Sequence, residues 1–174
     1  MKFLHDCYRK KRIWAPSEYI HELGLVLDDK NSLLFWAARN SIPIYVPGMV
    51  DGAMGDHFFF FNEKHKEQPF IIDTAADLTT FYKQILDSKK TGGIILGGGI
   101  AKHHLIGAAI LRNGLDAAVY ISTGTQYDGS LSGARPREAV SWNKLKSEAN
   151  SIHVETDATL VFPLLASAMV ARAH

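Results

Sequence analysis

Residues 92–114, GGIILGGGIAKHHLIGAAILRNG, decide the fold of this 174-residue chain. The short apolar run at 92–96 predicts a buried strand, and it passes directly into the glycines at 97–99. A helix over 100–112 is predicted next, closed by Asn113 and Gly114, because these residues tolerate the left-handed conformation that ends helices. A strand, a glycine turn and a helix in this order form part of a βαβ unit, so the segment predicts a parallel sheet.

The same alternation extends in both directions along the chain. Four more strands are predicted, at 42–46, 70–72, 117–121 and 152–155. Further helices are predicted at 17–27, at 33–38 after a cap at Asn31 or Ser32, at 54–61, from the cap Thr74 to 87, at 135–146 and at 158–171. We therefore expect the α/β class, with a Rossmann-like parallel sheet and helices on both of its faces.

The composition indicates one ordinary globular domain. Hydrophobic residues make up 47% of the chain, and 19 Lys and Arg against 18 Asp and Glu give a net charge of +1. These values exclude intrinsic disorder and give no overall attraction to nucleic acid or to an anionic membrane. The length suits a single domain over residues 1–174, with an N-terminal lead-in at 1–15 in which the basic run 9–12 is solvated.

Several features indicate a cytoplasmic protein. Cys7 is the only cysteine, so no disulfide can form within the chain, and a free thiol is a better interpretation than a nucleophile. Charged residues interrupt the N-terminus, which argues against a signal peptide. The apolar stretch 160–171 is too short to span a membrane and contains Pro163. The four phenylalanines at 58–61 are expected to be buried in a core or an interface.

Small and polar residues follow most of the predicted strands. Ligands of open α/β sheets bind beyond the carboxyl ends of the strands, where glycine admits a ligand to the backbone and a helix N-terminus favours phosphate. Each turn alone fits a tight connection equally well, but together they favour a nucleotide pocket. The residues at these ends are Asp51, Gly52, Asp56, Gly97, Gly98, Gly99, Thr123, Gly124, Thr125, Asp128, Asp157 and Ala158.

Two adjacent histidines lie in the predicted helix after the glycine turn. His103 and His104 point about 100° apart on a helix, so they cannot chelate one ion together, and no metal site is expected. His103 can still face the carboxyl edge of the sheet, where it would act as an acid, a base or a hydrogen-bonding group.

The predicted helix 135–146 carries the third candidate group. Glu138 and Trp142 are four residues apart and share a face, which suits a cationic ligand with an aliphatic body. Lys144 lies just beyond, and a lysine against an aromatic surface can lose its proton and form a Schiff base. The alternative is an exposed helix with a half-buried tryptophan and a solvated lysine.

Four stretches resemble the C-terminal half of deoxyhypusine synthases. They are PGMVDGAMGD at 47–56, TGGIILGGGIAKHH at 91–104, YDGSLSGARPREAVSWNK at 127–144 and TDATLVFPLL at 156–165. The resemblance covers about residues 13–172, so the catalytic half is placed at 16–172. The segment PIYVPG at 43–48 is similar to the corresponding segment of archaeal members.

The resemblance implies a transferase that uses NAD to oxidise spermidine. The family passes the aminobutyl group through an imine on an enzyme lysine to a lysine of the translation factor 5A precursor. Lys144 matches the imine-forming lysine, and His103 matches the histidine near the reacting amine. Asp56, Glu138 and Trp142 match polyamine-binding positions. The positions that match NAD contacts are Asp51, Gly97, Gly98, Gly99, Thr123, Asp128, Ser132, Asp157 and Ala158.

Some residues depart from the family pattern. Leu131 stands where members carry an acid that grips the polyamine, Asn143 replaces a glycine and Arg137 replaces an acid. Family chains are also about twice as long. The resemblance therefore implies that a separate N-terminal half completes the pocket, within a homo- or hetero-tetramer, and that the isolated chain can be inactive without it.

Two alternatives remain open. A synthase-like enzyme could use a free polyamine as acceptor, as homospermidine synthases do. The residue that supports this hypothesis is Leu131, which replaces the acid. The short chain could also be a non-catalytic partner of a full-length paralogue. The retained Lys144, His103, Glu138 and Trp142 argue against this last hypothesis.

Overall fold

The computed structural model describes residues 1–173. The chain forms two compact units, residues 1–81 and the part from Tyr82 onward, and each is described by itself. Parallel sheets flanked by helices confirm the predicted α/β class, but the described strands form two sheets, of two and three strands. The single domain over 1–174 stays a prediction.

The first unit is mainly helical. Its two short strands, β1 (Ile13–Trp14) and β2 (Ile71–Ile72), are parallel and pair Ile13 with Ile71 and Trp14 with Ile72. The elements are α1 (Lys2–Lys10), β1 (Ile13–Trp14), α2 (Pro16–Val26), α3 (Leu33–Arg39), α4 (Ala53–Glu63) and β2 (Ile71–Ile72), and α5 (Thr74–Asp87) runs across the division. The basic run at 9–12 is exposed, as expected, although the lead-in at 1–15 contains the first two of these elements. Leu4 and Cys7 lie three residues apart on α1, so one face of this helix enters the core.

The phenylalanines of α4 divide between core and surface. Phe58 and Phe61 are buried against Phe70 and Tyr19, whereas Phe59 and Phe60 are exposed. The prediction that all four are buried is therefore wrong within this chain. A helix turns about 100° per residue, so four consecutive side chains cannot share one buried face. Their role in an interface stays a prediction.

Cys7 is a buried core residue. It is 1% exposed, and burial raises the pKa of its thiol to about 11. The thiolate is the reactive form of cysteine, so the raised pKa agrees with the interpretation that Cys7 is not a nucleophile.

Two predicted details of the first unit are wrong. Residues 42–46 form no strand, because Pro43 has no N–H to donate to a ladder and Ile42 is exposed. The helix α5 is capped by Asp73 rather than by Thr74. The Asp73 Oδ1 atom accepts the N–H groups of Ala75 at 3.0 Å and Ala76 at 3.2 Å.

The second unit is built on a three-stranded parallel sheet, whose strands lie in the same order as along the chain. Its elements are β3 (Gly92–Leu96), α6 (Gly99–Ala109), a 3-10 turn (Ile110–Arg112), β4 (Leu115–Ser122), α7 (Pro136–Ser141), β5 (Leu145–Glu155) and α8 (Ala158–Ala173). Ile95, Ile106, Tyr120, Ala139 and Leu145 belong to its core. Strand β5 begins seven residues before the predicted 152–155.

Two helices of this unit end in the same kind of corner, in which an asparagine adopts the left-handed conformation. Asn113 has φ 61°, and the next N–H, of Gly114, donates to Ala109 O at 2.8 Å. This confirms the predicted C-cap. Asn143 has φ 54°, and the N–H of Lys144 donates to Ala139 O at 2.8 Å. This second corner ends α7 at Ser141, so the predicted helix 135–146 is wrong in its last five residues.

The last helix is apolar but poorly covered. Leu160, Leu164, Met169 and Val170 of α8 are exposed, and Leu164 reaches 71%. Among the described residues, no helix is long and apolar enough to cross a membrane.

A charge cluster connects β4 to β5 and makes the stability of this unit pH-dependent. The Lys146 Nζ atom lies 2.5 Å from Asp116 Oδ1, and the Thr91 N–H donates to Oδ2 at 2.8 Å. The Lys146 ammonium, with the Thr91 N–H, holds the pKa of Asp116 at about 2. A lowered carboxyl pKa stabilises the fold above its ordinary value near 4, and this stabilisation is lost as the pH falls towards 2.

We expect the urea midpoint of the wild type to fall more steeply between pH 5 and pH 2 than that of Asp116→Asn. The control Asp87→Asn changes an exposed carboxylate at the end of α5 and should keep the wild-type slope. Equal slopes for Asp116→Asn and the wild type would contradict the assignment.

Candidate active site

The three strands of the second unit end side by side. Leu96 pairs with Ile121, and Ile121 pairs with Val154, so the turns after β3, β4 and β5 leave the same edge of the sheet. Most of the predicted cofactor positions lie in these turns, while their role stays a prediction. The residues brought to this edge are Gly97, Gly98, Gly99, Thr123, Gly124, Asp128, Ser132, Asp157 and Ala158.

The glycine turn between β3 and α6 has room for a ligand beside its backbone. Gly97 and Gly99 have φ values of 77° and 71°, and a Cβ at either position would meet nothing within 4 Å. The first turn of α6 has no side-chain cap. Open backbone at an uncapped helix N-terminus suits a phosphate, so these residues fit the pyrophosphate of a dinucleotide.

Gly98 has a different role in this turn. A Cβ at this position would lie 2.6 Å from Ser132 Cβ, so the turn and the loop after β4 are in close contact. Only glycine permits that approach, because real Cβ contacts are never so short.

Two aspartates hold the turns at this edge in place. Asp128 accepts the N–H of Thr125 at 2.8 Å and its hydroxyl at 2.7 Å, and these hydrogen bonds lower the pKa of Asp128. Asp157 Oδ1 accepts the hydroxyl of Thr159 at 2.6 Å and its N–H at 2.8 Å, which lowers the pKa of Asp157. Both carboxylates are ionised and exposed, so they remain available to hydroxyl groups of a ligand.

Glu138, Trp142 and Lys144 line one narrow cavity beside this edge. Its volume is about 20 Å³, room for roughly one water molecule, and Lys102, Tyr120 and Leu131 also line it. The Lys144 Nζ atom lies 5.9 Å from the centre of the Trp142 ring, whose side chain is 65% exposed. A cation at this distance interacts weakly with the ring face. The cavity joins a carboxylate, an aromatic surface and an amine.

Local sequence explains how these groups are positioned. Pro136 opens α7, and Glu138 and Trp142 are four residues apart on its face and at its end. The left-handed Asn143 then reverses the chain, so Lys144 stands between α7 and β5 rather than on a helix. Its carbonyl accepts the N–H of Leu115 at 3.1 Å, which holds the lysine backbone to β4.

Lys102 was not identified as a site residue from the sequence. It is 4% exposed, and its Nζ donates to Leu131 O at 2.6 Å. The sequence contains a signal for this role, because Lys102 lies at helical spacing from the apolar Ile106 and Ala109. In the structure all three residues are buried. A lysine in the buried stripe of a helix indicates a partnered ammonium.

Three other predicted site residues are not among those that line the cavity. His103 is exposed on α6 and is not one of the residues that line the cavity. Asp51 and Asp56 belong to the first unit, where both are exposed, Asp56 in the first turn of α4. Their roles toward a polyamine or a cofactor stay predictions.

The corner before Lys144 explains one departure from the family pattern. At φ 54°, Asn143 occupies a conformation that glycine and asparagine tolerate. We expect Asn143→Gly to keep near wild-type stability and Asn143→Val to lose about 1–2 kcal/mol. Urea unfolding measures both. Asn150→Val, on the exposed side of β5, should change little, since valine favours strands. Wild-type stability in Asn143→Val would contradict a strained corner.

Comparisons with known proteins agree on one family. The sequence profile described as deoxyhypusine synthase matches residues 1–169. Deoxyhypusine synthase of Candida glabrata is 46% identical over 159 residues, which are 91% of this chain and 41% of that protein. A "probable deoxyhypusine synthase" of Thermoplasma acidophilum is 44% identical over 165 residues, 95% of this chain and 53% of that protein.

The fold is also similar to a solved structure. The crystal structure of a candidate deoxyhypusine synthase from Entamoeba histolytica superposes with a TM-score of 0.69 at 29% identity. The match covers 95% of this chain and 49% of the other. The chain thus spans about half the length of the relatives it matches, and the matched part is their C-terminal half.

Proposed function

The chain belongs to the deoxyhypusine synthase family, and on this basis we propose that it is the C-terminal catalytic part of an NAD-dependent aminobutyltransferase. The donor is spermidine and the acceptor is a lysine of the translation factor 5A precursor. The observation that carries the proposal is the single cavity lined by Glu138, Trp142 and Lys144. A carboxylate, an aromatic face and an amine are the groups needed to hold an ammonium ion and to form an imine with its carbon chain.

The glycine turn and the aspartates at the edge would hold NAD. When bound, NAD supplies the redox chemistry by accepting a hydride from the spermidine carbon next to the secondary amine and returning it at the end. The open backbone at Gly97 and Gly99 would face the pyrophosphate. Asp128 and Asp157 would accept hydrogen bonds from ribose hydroxyl groups. Asp51 is proposed as a cofactor residue from its match to the family alone.

Lys144 carries the covalent step in this proposal. Its neutral amine attacks the aminobutyl carbon of the oxidised substrate, a C–N bond forms to Nζ, and 1,3-diaminopropane leaves with the proton. The acceptor lysine then attacks the same carbon and releases Lys144. His103 would move protons between the amines, and Glu138 and Trp142 would bind the terminal ammonium. Asp56 is proposed as a polyamine-binding residue from its match to the family alone.

The proposal includes the half of the relatives that this chain does not match. Such an N-terminal half would supply the remaining contacts within a tetramer. Borohydride reduction with NAD and spermidine tests the function in the chain co-purified with that half. We expect an aminobutyl adduct, located at Lys144 by mass spectrometry. Absence of any adduct from this complex would refute the proposal.

A free polyamine as acceptor is the second candidate. Leu131 lines the cavity with an apolar side chain where the family carries an acid, which favours altered polyamine contacts. Putrescine and the factor 5A precursor can be offered together as acceptors, with spermidine that carries a label in its aminobutyl group. The labelled product is then identified. Label only in homospermidine would establish the second candidate, and label only in the protein would exclude it.

A further inference from the structure

A buried ammonium lies between the two parts of the candidate site. Lys102 projects from α6, and its Nζ donates to Leu131 O at 2.6 Å and to Ala134 O at 3.2 Å. The same atom lies 5.2 Å from the centre of the Tyr120 ring. Both carbonyls that accept from this buried ammonium belong to one short segment, residues 131–134.

This segment, the 131–134 turn, has weak bonds of its own. The Gly133 N–H donates to Ser130 O at 3.2 Å, and the Ala134 N–H donates to Leu131 O at 3.3 Å. The hydrogen bond from Lys102 to Leu131 is much shorter and involves a charged donor, so it is the strongest bond that holds the turn.

The 131–134 turn touches both functional parts of the unit. On one side Ser132 packs against Gly98, and a Cβ at Gly133 would lie 2.6 Å from Thr125 C, so the turn rests on the cofactor edge. On the other side Leu131 lines the cavity with Glu138 and Lys144. A displacement of the turn would therefore change both parts together.

The charges around Lys102 are also shared with the cavity. Burial lowers the pKa of Lys102, the Glu138 carboxylate raises it, and the Lys144 ammonium lowers it further. The ammonium thus depends on the carbonyls and on Glu138 for its stability inside the protein.

We propose that Lys102 is a positioning residue, whose ammonium anchors the 131–134 turn and thereby aligns the cofactor edge with the cavity that contains Lys144. The alignment of the cofactor edge with the cavity rests on the proposed function, whereas the anchoring of the 131–134 turn does not. Lys102 need not touch the cofactor or the polyamine to act in this way.

Hydrogen exchange on the full chain without ligand tests the anchoring. In Lys102→Met, which keeps most of the side-chain volume, we expect the amides of Gly133 and Ala134 to exchange about tenfold faster or more, the loss expected of one bond from a charged donor. Amides of β4 should be unchanged. If Lys102→Met does not fold, Lys102→Gln takes its place, since its amide is too short to reach both carbonyls. Wild-type exchange in the 131–134 turn would overturn the proposal.

Lysine removal elsewhere in the unit provides the matched control. Lys146→Met loses the pair with Asp116 and should leave exchange of the 131–134 turn at its wild-type rate. Equal acceleration by Lys146→Met would show general loosening and would also overturn the proposal.

NAD affinity separates this inference from the proposed function. In a wild type that binds NAD, Lys102→Met should raise the dissociation constant about tenfold, and Lys102→Arg, which keeps a charged donor, should recover part of the loss. A wild type that binds no NAD contradicts the proposed function, and the exchange experiment still decides the role of Lys102.

Discussion

Lys144→Arg should abolish the borohydride-stable aminobutyl adduct in the complex with the N-terminal half. Arginine stays protonated at any pH the protein tolerates, so it keeps the charge beside Trp142 and Glu138 but cannot act as a nucleophile. We expect the overall transfer rate to fall on the order of 10³-fold or more, the size of loss seen when a covalent nucleophile is removed. Intact-protein mass spectrometry after reduction measures the adduct.

The control for this variant lies two residues away. Lys146→Arg changes a lysine of the same unit whose Nζ is bound to Asp116, outside the cavity. It should keep the wild-type adduct. An adduct that persists in Lys144→Arg, or that maps to another lysine of the wild type, would show that Lys144 is not the imine-forming residue.

Gly98→Ala should weaken NAD binding about 10- to 100-fold. The added methyl would lie 2.6 Å from Ser132 Cβ and 2.5 Å from Ser132 Cα, and because Cα is a backbone atom the loop after β4 must move. Overpacking of this kind costs about 1–3 kcal/mol, and each 1.4 kcal/mol is about tenfold in affinity. Calorimetry on the complex with the N-terminal half measures the dissociation constant.

Gly107→Ala is the matched substitution. A Cβ at this position on α6 would meet nothing within 4 Å, and alanine stabilises a helix by up to about 1 kcal/mol relative to glycine. This variant should melt no lower than the wild type and bind NAD equally well. Unchanged NAD affinity in Gly98→Ala would contradict the proposed cofactor edge.

The βαβ part of the fold could be predicted from the sequence because its signals are local. The run at 92–96, the glycine turn and the corner at Asn113 each follow from the preferences of a few adjacent residues, and the structure has them where they were expected. The same is true of the turns after β4 and β5, which rest on short-range hydrogen bonds that Asp128 and Asp157 accept from Thr125 and Thr159.

The errors arise where local preference and packing disagree. No helix was predicted in the lead-in at 1–15, where the basic run favours solvent, yet Leu4 and Cys7 supply enough apolar surface to hold α1 against the core. In α7, residues after Ser141 favour a helix by composition, and the left-handed Asn143 ends it. Helix propensity is a weak preference that tertiary contacts readily override.

In the candidate site, too, local features could be predicted and contacts between distant residues could not. Glu138 and Trp142 share a face because of their spacing alone, and this was predictable. The carbonyl partners of Lys102 lie 29 and 32 residues further along the chain, so no local pattern indicates them. Their recognition depends on how the loop after β4 folds back over α6.

The corner at Asn113 and Gly114 also affects how the protein ages chemically. Asparagine before glycine is the dipeptide that deamidates most readily, through attack of the glycine nitrogen on the asparagine side-chain amide. Here the Gly114 N–H is held by Ala109 O at 2.8 Å, and Asn113 is fixed at φ 61°, so the nitrogen is not free to attack. Isoaspartate at position 113 should therefore accumulate only in molecules that have opened this corner, which makes it a chemical record of time spent unfolded.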